Sequence, residues 1–304
     1  MKIMTNLSLE KRLLLQSRGI LIAAVVVVTV AVWFGLVIPY QSAIRSERHL
    51  IRVREQIQAQ VSEYGKRITI DLRDAVQKAK DTFQVLHPVA GPNNIMALLA
   101  ALGPLITAIL GAHIVGSEFT NRTVKVRAAH YDWANTVVTK MISIILISTA
   151  VAVAGFLMGL IGGPITWNVV TAGHSEIAPH VVPPHIPSPH WQQMLLVILG
   201  LSVYGILGAF IAVVTRSSLA GAVAGLSIPF IEHFALAVLP PLRGLPQNIY
   251  SNLLVGTFRY FEAGPVGKPL FIEVSPLWLC WVILIGWSLI LFISAWQLSK
   301  RQAI

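Results

Sequence analysis

Charge is scarce in this sequence. Of its 304 residues, 12% are Asp, Glu, Lys or Arg, while 55% are hydrophobic. A soluble domain carries about a quarter charged residues, so this chain has too little polar surface to cover itself in water. That excludes an ordinary cytosolic enzyme and a disordered scaffold. Cysteine is nearly absent: Cys280 stands alone. No disulfide can close within the chain, and a secreted disulfide-stapled miniprotein is excluded with it. Catalytic signatures are missing too. There is no HExxH zinc motif, no GxSxG nucleophile elbow and no CxxC pair. No P-loop is present either: Gly65-Lys66 is followed by Arg67 and Gly267-Lys268 by Pro269, both without the glycine-rich lead that cradles phosphates. The chain by itself is therefore read as a non-enzyme, with no catalytic residue, metal set or bound cofactor assigned to it.

What is present in excess is apolar length. Six runs reach the roughly 20 residues that a helix needs to cross a bilayer. They cover about 19–38, 95–116, 141–165, 194–215, 217–239 and 274–298. Four contain no Asp, Glu, Lys, Arg or His; the second holds His113 and the fifth holds Glu232 and His233. Lipid cannot satisfy the exposed backbone of a lone strand, and the alternating pattern of a barrel is absent, so the expectation is an all-α membrane protein with six spans. The first run is long for a signal peptide and lacks a small-x-small cleavage site after it. Trp33, Tyr40, Tyr131, Trp133, Trp167, Trp191, Trp278, Trp281 and Trp296 mostly fall near proposed span ends, where amphipathic rings prefer to sit. Trp287 falls inside a span and reads as a packing residue.

Net charge is +10, from 23 basic and 13 acidic residues. In a chain this apolar, basic loops and anionic lipid head groups account for it without nucleic acid. Nine of the basic residues lie in Gln41–Asn94 among six acids, a loop near the length beyond which charge stops governing orientation. Setting that loop aside leaves eleven basic residues on the side of the termini and three opposite. Both termini are then expected in the cytoplasm. Residues 1–18 read as a short amphipathic helix on the inner surface, or as a tail carrying stop-transfer charge.

The long outer loop, 41–94, repeats Ile57, Val61, Tyr64, Ile68, Leu72 and Val76 at steps of three or four, with charges between them. That is the helical period, and one or two amphipathic helices are expected, broken near Gly65. Such a unit could be a lid or a substrate-recruiting element, or simply a solvated pair packed on the bundle. The outer loop 166–193 carries His174, His180, His185 and His190 among five prolines. Those wide histidine spacings do not suit zinc, and a stiff extended connector is expected. The 240–273 stretch, rich in proline, reads as a re-entrant or interfacial excursion on the outer side.

Glu232 and His233 are the internal anomaly. Entering from the inner turn at Ser217, Glu232 lies about 15 residues in, roughly 22 Å along the helix. A lone carboxylate at that depth is costly unless it is paired or faces a wet cavity. It is either a substrate-path or gating residue or, if Pro229 kinks the helix, part of the outer interface.

The inner loop 117–140 is polar. Glu118 with Arg122, and the stripe Val124, Ala128 and Tyr131, allow a helix across the inner membrane face. Gly116-Ser117-Glu118, then Asn121-Arg122-Thr123-Val124-Lys125, then Lys140-Met141 resemble the segment after the second span in permease subunits of type-2 ABC transporters. Thr215-Arg216-Ser217-Ser218, a tight inner turn between spans four and five, is similar to the same family. The chain departs at Arg122, where family members often carry Gly, and lacks the frequent Pro-x-x-Arg near Tyr131–Ala134. The helical loop 41–94 is longer than the family needs.

The resemblance implies a half-transporter in a cell membrane, such as a bacterial plasma membrane. A second permease chain, identical or different, would pair with it. Each chain would dock a cytosolic ABC ATPase, two copies in all, carrying the ATP and Mg. Glu118, Phe119, Arg122, Thr123, Lys125 and Asp132 are the residues it implies for docking, as a coupling helix. Export of a hydrophobic or amphipathic drug, antimicrobial peptide or lipid follows. The alternative is a membrane sensor or immunity protein that binds a ligand through its outer loop without transporting it.

Overall fold

A computed structural model describes residues 18–64, 72–121, 123, 133–172, 176–238, 244–258 and 276–302. Among these, every regular element is a helix. In chain order they are α1 (Arg18–Val32), a π-helical turn (Trp33–Val37), α2 (Ile38–Tyr64), α3 (Leu72–Leu86), α4 (Ala90–Thr120) and α5 (Trp133–Ala172). A 3-10 turn (Ala178–His180) follows, then α6 (His190–Thr215), α7 (Ser218–Val238), α8 (Pro246–Thr257) and α9 (Leu277–Gln302). Five described helices are long and apolar enough to cross a membrane: Ala24–Gln58, Ala90–Thr120, Trp133–Ala172, His190–Thr215 and Leu277–Gln302. They fit a multi-pass membrane protein. The apolar α7 has 21 residues and contains Pro229.

The helices overrun the apolar runs that mark them. The run at 95–116 sits inside the 31-residue α4, and that at 141–165 inside the 40-residue α5. An apolar run measures only the stretch that must avoid water, whereas helical hydrogen bonding continues through polar flanks until a cap or a proline stops it. The connections shorten accordingly. Ser117–Thr120 belong to α4, Trp133–Lys140 to α5 and Thr166–Ala172 also to α5. Residues 1–17 of the expected surface helix (1–18), residues 122 and 124–132 of the inner loop, and residues 259–275 lie outside the described residues.

Helix continues from α1 to α2 through the π turn, where Ile38 donates its N–H to Trp33 O, five residues back. Pro39 supplies the cause. It has no N–H for Gly35 O, and its ring crowds that carbonyl, so the helix widens by one residue just before it.

Two compact units are formed by the chain. The first comprises Leu99–Val153 and Pro187–Ile304 with the N-terminal segment to Val28. Its centre is α6, whose Leu196, Val197, Leu201, Val203, Ala209, Ala212 and Val213 are fully buried. Backbone contact is close here. A methyl group on Gly111 would collide with Gly205 O, and one on Gly208 with Ala108 O. One on Gly225 would lie 2.9 Å from Ala108 Cβ, and one on Gly221 2.9 Å from Gly208 O. Small residues thus let α4, α6 and α7 meet backbone to backbone within the chain. The α6–α7 turn places Arg216 in the left-handed region at φ 54°. Ser217 Oγ then accepts the N–H of Ala220 at 3.2 Å and caps α7.

The second unit comprises Thr29–Leu98 and Ala154–Ile186. Here α2 and α3 pair as an antiparallel hairpin. Ala43 and Leu50 from α2 meet Ala79, Phe83 and Leu86 from α3, with Val170, Ile177 and Ala178 closing the cluster. Asn94 Nδ2 donates to Val85 O at 2.8 Å, and the His87 and Trp167 rings stand 5.3 Å apart. Arg54 pairs with Glu176 at the exposed end.

Candidate functional site

Of the residues singled out at 117–140, Glu118, Phe119 and Thr123 are described; Arg122, Lys125 and Asp132 lie outside the described residues. Glu118 sits in the last turn of α4 and is 5% exposed. A carboxylate there faces the negative end of the helix dipole and needs compensation. Lys140, two turns into α5, provides it: Nζ lies 2.9 Å from Glu118 Oε1 and donates to Ile114 O at 2.6 Å. Both side chains are 6% exposed. Thr123 closes the other side. Its N–H donates to Glu118 O at 3.0 Å and its hydroxyl to Glu118 Oε2. Phe119 meets the buried Trp133 edge to face, with centroids 5.4 Å apart at 81°. The end of α4, Thr123 and the start of α5 are therefore held together by one buried polar and aromatic clamp. Glu118 anchors that segment rather than presenting its own carboxylate to solvent. Sequence reading singled out Lys140 only as the residue leading into the next span, because its partner lies 22 positions earlier.

Glu232 is likewise buried, at 9% exposed, in α7 three residues after Pro229. Its Oε2 accepts the N–H of Gln247 at 2.9 Å. Gln247 lies in the first turn of α8, whose preceding residue Leu245 provides no side-chain cap. The carboxylate therefore caps a helix N-terminus from another helix, where the positive end of the dipole favours it. The side chain of His233 lies outside the described residues. Sequence reading missed the residues around Glu232. Tyr204 Oη donates to Gln247 Oε1, and the Tyr204 and Tyr250 rings stand 5.9 Å apart at 70°. Tyr250 Oη donates to Ala100 O at 2.7 Å. That carbonyl is the one Pro104 leaves without its helical N–H, so the tyrosine replaces the lost bond. A proline four residues after a buried carbonyl was the available signal.

Two cavities open along the α4–α7 groove. One of about 320 Å³ is lined by Pro104, Tyr204, Pro229, Gln247 and Tyr250, among others. The other, about 480 Å³, is lined by His113, Ser117, Asn121, Ser218 and Leu219, toward the Glu118 end of α4. Between them lie the close contacts of Gly221 and Gly225 with Ala112, Gly208 and Ala108. No protein-family model, curated protein or solved structure matches this chain.

Proposed function

We propose that this chain is the membrane-spanning permease subunit of an ATP-driven exporter, with α7 as a sixth span and both termini in the cytoplasm. Its cargo is hydrophobic or amphipathic, and its energy comes from a separate cytosolic ABC ATPase docked on the segment between α4 and α5. The observation that carries this reading is the buried Glu118–Lys140 pair with its Phe119–Trp133 contact. A partner that pushes on the 121–132 segment would move α4 and α5 together, because the clamp ties both ends of that segment to one rigid base. Rigid-body rocking of packed helices is the ordinary way such a push reaches a distant site. Two cavities separated by a glycine and alanine seam along one helix pair support the same reading, since they offer space on each side of a pivot.

Co-purification tests it. The chain is expected to bring down a soluble P-loop ATPase and to show vanadate-sensitive ATP turnover only in that complex. Glu118→Lys combined with Lys125→Glu is expected to abolish coupled turnover; unchanged assembly and turnover would remove the docking assignment. Resistance or flux that persists with an ATPase-dead partner would favour a non-transporting sensor or immunity protein instead.

A further inference from the structure

The 320 Å³ cavity has a definite electrostatic sign, which its hydrogen-bond inventory reveals. Polar groups around it are tyrosine, glutamine and serine, all able to donate or accept. Most of their donors are already engaged within the protein, one N–H of the Gln247 amide excepted. Tyr204 Oη donates to Gln247 Oε1 and Tyr250 Oη to Ala100 O. Gln247 Nε2 donates to Ser251 Oγ at 3.3 Å, and Ser251 Oγ donates to Gln247 O at 2.8 Å. What these groups still offer to an occupant is chiefly lone pairs and two aromatic rings. One step behind Gln247 stands the Glu232 carboxylate, with no Lys, Arg or His within ion-pair distance among the described residues. One of its oxygens meets the Gln247 N–H; the other has no described hydrogen-bond partner. Lone pairs, ring faces and a carboxylate all attract positive charge and repel negative charge.

The remaining walls are apolar: Pro104, Leu105, Pro229, Phe230 and Leu254. Phe230 is 57% exposed, so the rim of the cavity reaches the apolar surface of the bundle. With α7 as a membrane span, as the permease reading has it, an occupant would enter there from lipid. The volume lies at the lower end of the range for small-molecule sites. A proline of α4 and a proline of α7 both line the cavity, while glycine contacts bring the helices together further along.

We propose that this cavity binds a lipophilic organic monocation delivered from the membrane, with Glu232 as its counter-charge. The inference rests on the permease reading for its purpose but not for its chemistry. It also explains why a carboxylate stands where an amide could cap α8 equally well.

Tetraphenylphosphonium and tetraphenylborate, nearly identical in shape and opposite in charge, test the sign. Binding of each to the purified full chain in lipid nanodiscs is measured over protein-free nanodiscs, without ATP or any ATPase. The cation is expected to saturate a site that the anion does not occupy. Glu232→Gln keeps an oxygen for the Gln247 N–H and removes the charge, so it is expected to weaken cation binding about tenfold or more. Ala101→Trp fills the cavity from an exposed position of α4 and is expected to abolish binding while leaving Glu232 intact. Equal binding of both ions, or cation binding indifferent to either variant, would overturn the proposal. Because no ATPase is present, that result would leave the permease reading standing; saturable cation binding by a chain that recruits no ATPase would defeat the permease reading alone.

Discussion

Glu118 and Lys140 show how much one ion pair can decide in a chain this poor in charge. Neither could be buried alone: an unpaired charge in that setting costs several kcal/mol, and breaking a buried pair by removing one partner typically costs about 3–5 kcal/mol. The pair also holds Thr123 and the Ile114 carbonyl, so its loss loosens both helix ends. Glu118→Leu and Lys140→Met are each expected to lower the thermal stability of the purified protein strongly. The double variant should recover most of the loss, because two apolar side chains of similar volume need no compensation. A double-mutant cycle on the unfolding temperature checks this, and additive losses would count against a direct pair. Both residues were legible in the sequence as parts of a motif. Their contact was not, since a separation of 22 residues says nothing about which helix faces which.

Among the elements, the decisive feature is the closeness of α4, α6 and α7. Each of these helices is apolar on most of its circumference, so hydrophobicity does not select one packing over another in lipid. Small residues do. Gly111 against Gly205, and Gly208 against Ala108, leave no room for a side chain. Gly208→Val is therefore expected to force α4 and α6 apart and to abolish stable expression, whereas Gly286→Val should be tolerated, because nothing stands within 4 Å of a methyl group there. Size-exclusion profiles of the two variants make the comparison. Gly221 and Gly225 of α7 take part in the same packing, against Gly208 of α6 and Ala108 of α4, and those neighbours are known only from the structure.

For the whole molecule, the open matter is direction across the membrane. The α2–α3 hairpin extends the first membrane-length helix well past its apolar part, and Glu55 on it is exposed. Asn121, at the far end of α4, is exposed as well. If both termini are cytoplasmic, these two positions lie on opposite sides. In a Cys280→Ser background, Glu55→Cys should react with a membrane-impermeant maleimide in intact cells, and Asn121→Cys only after the membrane is opened. The reverse pattern would invert the proposed orientation and with it the docking side.

Scarcity of charge and six long apolar runs settled from the sequence alone that the chain is helical and built for a membrane, because lipid tolerates few other backbones. Helical period from Ile57 to Val76 leads to an expectation of one or two helices in 41–94; the described helices there are Ile38–Tyr64 and Leu72–Leu86, and residues 65–71 lie outside the described residues. Glu232 was visible as an anomaly, yet its role was not. Whether a buried carboxylate is a gate, a cap or a counter-charge depends on what surrounds it, and its surroundings come from positions 204 and 247, far along the chain. Only the tertiary structure brought Tyr204, Gln247 and Glu232 to one place. Sequence records what each segment must avoid, and packing decides which segments meet.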